Sequence, residues 1–238
     1  MRKSPKDVGR SQSASPDQGT APSFEYLAAG IRAKLTAGDF QGALTDLNGA
    51  EAAIGPYIDI FACKGEAYEG LNQLNNALNE YKKILRKQTK DGGLNEEIAY
   101  HALALGESIS SPLLDEIAVY VLEELPAKSM VSEEFDIPQN ASSQPNKLAY
   151  AFSAASRSSY SNTDRIVFAR KALAHDPSNP RLKILLATSL AGGRCQPSER
   201  HEIPELFQAA YAQSMANPAL KLAIEEEAQT RGIKLTPP

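Results

Sequence analysis

The chain has 238 residues, of which 42% are hydrophobic and 23% are charged, values that are ordinary for a globular protein able to bury a core. Its formal net charge of -4, without a long basic stripe, argues against nucleic-acid binding. The two cysteines, Cys63 and Cys195, are far apart, so they predict neither a disulfide framework nor a zinc site, and a reducing compartment fits them best.

Residues 1–23 form a polar tail rich in serine, proline, glycine and glutamine, with four basic residues among them. No apolar stretch follows the basic residues, so the tail has the features of neither a secretory signal nor a membrane anchor. We predict that it is disordered, because it has too few large apolar groups to offset the entropy of ordering. A docking arm or a phosphorylation target is the alternative. No apolar run reaches membrane length, so we expect no membrane insertion and a cytoplasmic location.

Two segments of 34 residues, 24–57 and 58–91, share a spacing of apolar positions. The correspondence is best in the second half of each copy. There, apolar or aromatic residues recur at helical spacing: Phe40, Ala43, Leu44, Leu47 and Ala50 align with Leu74, Ala77, Leu78, Tyr81 and Ile84. Each copy therefore predicts a hairpin of two helices. Because one hairpin cannot bury its apolar face alone, the hairpins must stack, which creates a curved surface suited to holding another chain.

The second copy places Phe61, Gly65 and Tyr68 on its first helix and Ala77 and Tyr81 on its second. This pattern resembles the tetratricopeptide repeat family. In that pattern the small Gly65 lets the second helix approach closely, Ala77 faces it, and the two tyrosines fill the space on either side.

The first copy departs from the pattern at three positions. It has Leu27 for the aromatic residue, Ile31 for the small one and Lys34 for the tyrosine. We therefore expect its first helix to act partly as a cap for the stack.

Residues 92–125 predict a divergent hairpin with helices at 94–107 and 112–125, the second opening with Pro112 after Ser111 as its cap. Its register does not fit the family pattern. Residues 126–145 are polar and broken by proline, and they predict a long loop. Within this loop residues 133–137 mix acidic and apolar side chains. We predict that this run packs on the chain's own helices, with docking to a partner as the alternative.

Residues 146–238 predict a further repeat region and a capping helix. A unit at 146–179 matches the family best in its second helix, since Ser153 and Ser156 stand at the small and aromatic positions of its first. An insertion at 192–202 is interpreted as a turn, followed by helices at 204–214 and 218–230. Three glutamates, 225–227, give the last helix a polar outer face, as a solenoid cap requires.

Together these elements, with the family resemblance, predict an all-α protein, a right-handed α-solenoid of antiparallel helix hairpins. The resemblance covers residues 24–91 most closely and extends in part over 146–191.

Residues that could support catalysis or metal binding do not converge in the sequence, so we predict no enzyme activity, no cofactor and no metal. The histidines are scattered, and His201 with Cys195 and Glu199 lacks the paired spacing of a zinc motif. The glycine doublets at 92–93 and 192–193 are interpreted as turns. A basic cluster is interpreted as a solvated helix end. It comprises Lys82, Lys83, Arg86, Lys87 and Lys90.

Resemblance to tetratricopeptide proteins implies a non-catalytic adaptor that holds a peptide or a partner helix in a concave groove. By register, the groove-facing residues are Arg32, Asp59, Glu66, Glu69, Tyr150, Arg157 and Arg181. The lysine and asparagine set that some members use to clamp a C-terminal carboxylate is absent. An acidic wall at Glu66 and Glu69 predicts a basic or amphipathic ligand.

The alternative function is structural, with the chain self-associating or forming part of a larger assembly such as a secretion or envelope machine. A concentration-dependent mass in solution would support it. An enzyme with a divergent site would instead require a deep pocket with clustered titratable groups.

Overall fold

The computed structural model describes residues 24–87, 93–124, 135–159, 161–193 and 196–237. The predicted tail, Lys90, Cys195 and the first part of the predicted loop lie outside these residues. The described residues form twelve α-helices and no strand. The helices are α1 (Phe24–Thr36), α2 (Phe40–Ile54), α3 (Ile58–Gly70), α4 (Leu74–Leu85), α5 (Gly93–Ser108), α6 (Leu114–Glu124), α7 (Lys147–Ser158), α8 (Asn162–His175), α9 (Pro180–Gly192), α10 (Pro197–Arg200), α11 (Glu202–Gln213) and α12 (Pro218–Thr230).

Each long helix packs mainly against the next long helix in the chain. This holds from α1 to α9, after which α9 packs directly on α11 beside the short α10, and α12 packs on α11. Contacts also join α1 to α3 and α5 to α7, which are the first helices of neighbouring hairpins. The all-α class is thereby confirmed for the described residues, and the packing of consecutive helices is compatible with a helical repeat fold.

In the first hairpin, two residues that depart from the repeat pattern make contacts within the hairpin stack. Ile31 is buried in a cluster with residues of α2 and α3. Lys34 donates a hydrogen bond to Asp46 on α2 at 2.6 Å. At the start of α2, Asp39 accepts the backbone N–H of Gly42 at 3.0 Å as an N-cap.

The second hairpin confirms the predicted role of Gly65. A Cβ atom placed on Gly65 would lie 2.1 Å from the ring of Tyr81, which is 5% exposed. Ala77 is fully buried beside this contact, and Tyr68 is half-buried. The absence of a side chain at Gly65 therefore sets the distance between α3 and α4.

In the third hairpin the helices match the predicted ones closely, except that α6 begins at Leu114 and Pro112 lies in the preceding turn. The Ser111 hydroxyl accepts the backbone N–H of Leu113 at 3.3 Å and donates to Asn75 at 3.1 Å. Ser111 thus ties the turn to the N-terminal part of α4.

The ends of the fourth hairpin are closed by side-chain hydrogen bonds. The amide of Asn146, just before α7, donates to Asp176, just after α8, at 2.7 Å. Asn179 accepts the backbone N–H of Arg181 at 3.1 Å, and Pro180 occupies the first turn of α9. These contacts lie where the predicted unit at 146–179 ends and the next helix begins.

The C-terminal helices close the stack. The predicted turn at 192–202 contains the short helix α10, and α12 has the predicted bounds. On α12, Leu220, Ile224 and Ala228 are buried in a cluster with residues of α9 and α11, whereas Glu226 is exposed. This amphipathic placement agrees with the predicted capping helix.

Candidate binding surface

The predicted groove residues on α1 and α3 lie together. Arg32, Asp59 and Glu66 are exposed, and the charges of all three act on the thiol of Cys63. Asp59, Cys63 and Glu66 occupy successive turns of one face of α3. We call these four residues the N-terminal patch.

The N-terminal patch does not activate its cysteine. Burial raises the pKa of the Cys63 thiol, and the nearby Glu66 raises it further, while Arg32 opposes this change. Because reactive thiols need a lowered pKa, Cys63 has the properties of a structural, half-buried thiol.

Glu69 lies one turn beyond Glu66, but its carboxylate is engaged within the chain. It accepts hydrogen bonds from His101 on α5, at 2.8 Å, and from the hydroxyl of Tyr81 on α4. Burial raises the pKa of Glu69, and the hydrogen bonds from His101 and Tyr81 outweigh it, so that the pKa is lowered. Glu69 on α3 is therefore hydrogen-bonded to both α4 and α5, and 27% of its side chain is exposed.

The His101–Glu69 pair predicts a pH-dependent stability. The hydrogen bond to Glu69 raises the pKa of His101, with burial opposing it. This stabilisation is fully present below the unfolded pKa of about 6.5 and is lost as pH rises through the higher folded value. We expect His101→Gln to lower the melting temperature more at about pH 5.5 than at about pH 8.5. The same replacement at the exposed His201 is the control, and a pH-independent effect at His101 would contradict the prediction.

The predicted groove residues on α7 lie under another part of the chain. Six consecutive residues, 151–156, are buried, so α7 is covered on every side. Tyr150 is half-buried, and the side chain of Arg157 is only 8% exposed.

Part of the cover on α7 is the chain that precedes it, residues 135–146, which we call the crossing segment. Arg157, in the last turn of α7, donates a hydrogen bond to the carbonyl oxygen of Phe135 and lies 3.6 Å from the carboxylate of Asp136. A single 3-10 turn, Ala141–Ser143, then contacts α6 and α7, and Asn146 leads into α7. The crossing segment therefore runs antiparallel to α7 from one end to the other.

The apolar side chains of the crossing segment are anchored in two cores. Phe135 is 4% exposed and belongs to the cluster formed by α9, α11 and α12. Ile137 packs against the central cluster, which extends from α3 to α9. The prediction that the acidic and apolar run packs on the chain's own helices is confirmed for the described residues 135–137.

Three effects act on the pKa of Arg157. Burial lowers the pKa of its guanidinium, Asp136 opposes this, and the like charge of Arg181 on α9 adds to it. In the described part of the chain, the buried Nη1 of Arg157 and the buried Oγ of Ser153 have no hydrogen-bond partner.

The structure thus divides the seven predicted binding residues into two groups. One contains Arg32, Asp59, Glu66 and Glu69, and the other contains Tyr150, Arg157 and Arg181. His101 and Asp136 were not predicted as members of these sites. The acidic and apolar run was predicted to pack on the chain's own helices, but nothing in its sequence identified Arg157 as the residue that it contacts.

A shallow cleft of about 200 Å³ lies between α4 and α6. At its edge, Glu116 pairs with Lys82 at 2.5 Å and with Arg86 at 2.7 Å. These two members of the basic cluster therefore connect two hairpins, in addition to lying at a helix end as predicted.

Within the described ranges, no three histidine, cysteine, aspartate or glutamate side chains are grouped so that they could hold a metal ion. None of the described helices combines the length and apolarity needed to cross a membrane. Comparison of the chain with protein-family models, with curated proteins and with solved structures gave no match.

Proposed function

We propose that this protein is a non-catalytic protein–protein interaction module, a right-handed tetratricopeptide-like solenoid that acts as an adaptor in the cytoplasm. Its ligand is a basic or amphipathic peptide, or a partner helix, which contacts the N-terminal patch. The stacked hairpins and the close Gly65–Tyr81 contact support the fold part of this proposal.

The observation that carries the proposal is that some charged side chains of α3 are paired within the chain, whereas others are exposed. Lys64 is buried and pairs with Glu51 on α2, and Glu69 is held by His101 and Tyr81. By contrast, Asp59 and Glu66 are exposed, and neither has an ion-pair partner among the described residues. They are two helical turns apart on one face, roughly 10 Å along the axis, a separation that basic side chains of one ligand can span.

The proposal is tested by affinity capture from a lysate of the source cells, followed by titration of the recovered partner. We expect the variant Asp59→Lys/Glu66→Lys to bind this partner at least about tenfold more weakly than the unmodified chain, because reversed charges repel a basic ligand. Glu69 is left unchanged, since its replacement would also break the contact with His101.

The matched control is Glu205→Lys/Glu226→Lys, which makes the same change in net charge at exposed positions of α11 and α12. This variant should bind like the unmodified chain. Equal recovery by the patch variant would move the contact to another face and would favour the self-associating or assembly function instead.

A further inference from the structure

We propose that the crossing segment is a built-in occupant of a second peptide site on α7, and that this site accepts an acidic peptide carrying an aromatic residue. The inference rests on the proposed function only in that the same stack of hairpins binds peptides. It concerns a different surface, with the opposite charge preference.

The crossing segment lies on α7 in the way that a peptide ligand lies in a groove. Helix α7 has 12 residues, which corresponds to a length of about 18 Å. The segment follows this length from Arg157 to Asn146, with one backbone carbonyl bound by Arg157 and one aromatic side chain buried.

The fit of the crossing segment is incomplete at its polar end. Asp136 is 3.6 Å from the guanidinium of Arg157, which is beyond hydrogen-bond distance, and its side chain is 45% exposed. Ser153 and Arg157 lie one helical turn apart on the same face of α7, and each has a buried polar atom without a partner among the described residues. Such an atom lowers the stability of the bound state, so a carboxylate placed within hydrogen-bond distance of it would bind more strongly than Asp136 does.

The chemistry of the competing ligand follows from these contacts. Its aromatic side chain would replace Phe135 in the cluster that contains Ile184 and Phe207. Its adjacent carboxylate would meet the guanidinium of Arg157. The site is therefore closed by the chain itself and opens when such a peptide displaces the crossing segment.

Competition between the tethered and the free peptide can be measured directly. A tethered occupant acts at an effective concentration in the millimolar range, so a free peptide should bind the unmodified protein weakly. The probe is a fluorescently labelled peptide with the sequence of residues 135–144, and anisotropy reports its binding to the full-length chain. We expect Asp136→Ala protein to bind the probe about two- to fivefold more tightly than the unmodified protein, because the substitution removes a weak, partly exposed charge contact from the tethered competitor alone.

Asp136 is exposed, so its replacement should leave the fold intact, and circular dichroism verifies this. Asp136→Asn protein is the second variant and should behave like Asp136→Ala. A probe in which the aspartate is replaced by alanine should bind Asp136→Ala protein about two- to fivefold more weakly than the original probe does. Equal affinity of the original probe for unmodified and variant proteins, or no binding to any of them, overturns the inference.

One further arm separates this inference from the proposed function. Asp59→Lys/Glu66→Lys, added to Asp136→Ala, should leave probe affinity unchanged, because the N-terminal patch is a different surface. If this addition abolishes probe binding, the probe binds at the N-terminal patch and the second site is refuted.

Discussion

Replacement of Gly65 by alanine is expected to lower the free energy of unfolding by about 2 kcal/mol, although alanine is the better helix former. In a helix interior alanine is favoured over glycine by about 0.5–1 kcal/mol. Against this, the new Cβ would lie 2.1 Å from the ring of Tyr81, a distance at which something must move. Overpacking of a well-packed core costs about 1–3 kcal/mol and occasionally more. Because Tyr81 is buried and its hydroxyl is bound to Glu69, the ring has little freedom to yield.

Gly49→Ala is the matched control for this prediction. Gly49 also lies within a helix, α2, but a Cβ placed on it meets no atom within 4 Å. This replacement should therefore raise the free energy of unfolding by about 0.5–1 kcal/mol. Urea denaturation followed by circular dichroism measures both changes. If the two alanines have the same effect, the Gly65–Tyr81 contact does not set the distance between α3 and α4.

The stacked hairpins could be predicted from the sequence because their determinants are local. Apolar residues at helical spacing define the helices, and Asn179 before Pro180 marks the start of a helix. The small Gly65 predicted the close contact with the following helix. Such features depend on residues near each other in the chain, so they can be predicted without knowing which distant segments come into contact.

A local signal for one missed element was also present in the sequence. Pro197 occupies the first turn of α10, and Glu199 accepts the backbone N–H of Gln196 at 2.8 Å. Glu199 was considered instead as a metal ligand, and the structure also shows it paired with Arg170 at 3.3 Å. The short helix in the predicted turn could therefore have been found.

Whether a predicted binding residue is exposed or engaged within the chain could not be predicted, since this depends on contacts with residues far away in the sequence. Glu69 is engaged by His101, which is 32 positions further along the chain, and Arg157 is engaged by Phe135, 22 positions before it. Repeat register places a residue on a face of its helix. It carries no information on whether another segment crosses that face, so Glu66 and Glu69 look equivalent in sequence and differ in the structure.

Replacement of Phe152 by alanine is expected to have the largest effect on stability, a loss of about 3–5 kcal/mol. Phe152 is fully buried on α7, where its ring stacks on Phe168 at 6.3 Å and on His175 at 5.4 Å. Lys171 lies over the same ring, 5.4 Å from its centroid, and both Lys171 and His175 bind Glu107 on α5. Removal of the ring leaves a cavity where α5, α7 and α8 meet, and a covered helix cannot collapse easily to fill it.

Thermal unfolding followed by circular dichroism measures this loss, and we expect the melting temperature of Phe152→Ala to fall by roughly 10 °C. Val167→Ala is the control, because Val167 precedes Phe168 on α8 but is 42% exposed, so its replacement should change stability by no more than about 0.5 kcal/mol. Hydrogen exchange should further show faster opening of α7 and α8 in Phe152→Ala. The crossing segment should also open faster, since Arg157 on α7 binds the carbonyl of Phe135 and Ile137 packs against the cluster that contains Phe152. Unchanged exchange in the crossing segment would mean that it is anchored by the C-terminal cluster alone. In that case displacement by a peptide would depend on the pocket of Phe135 more than on Arg157.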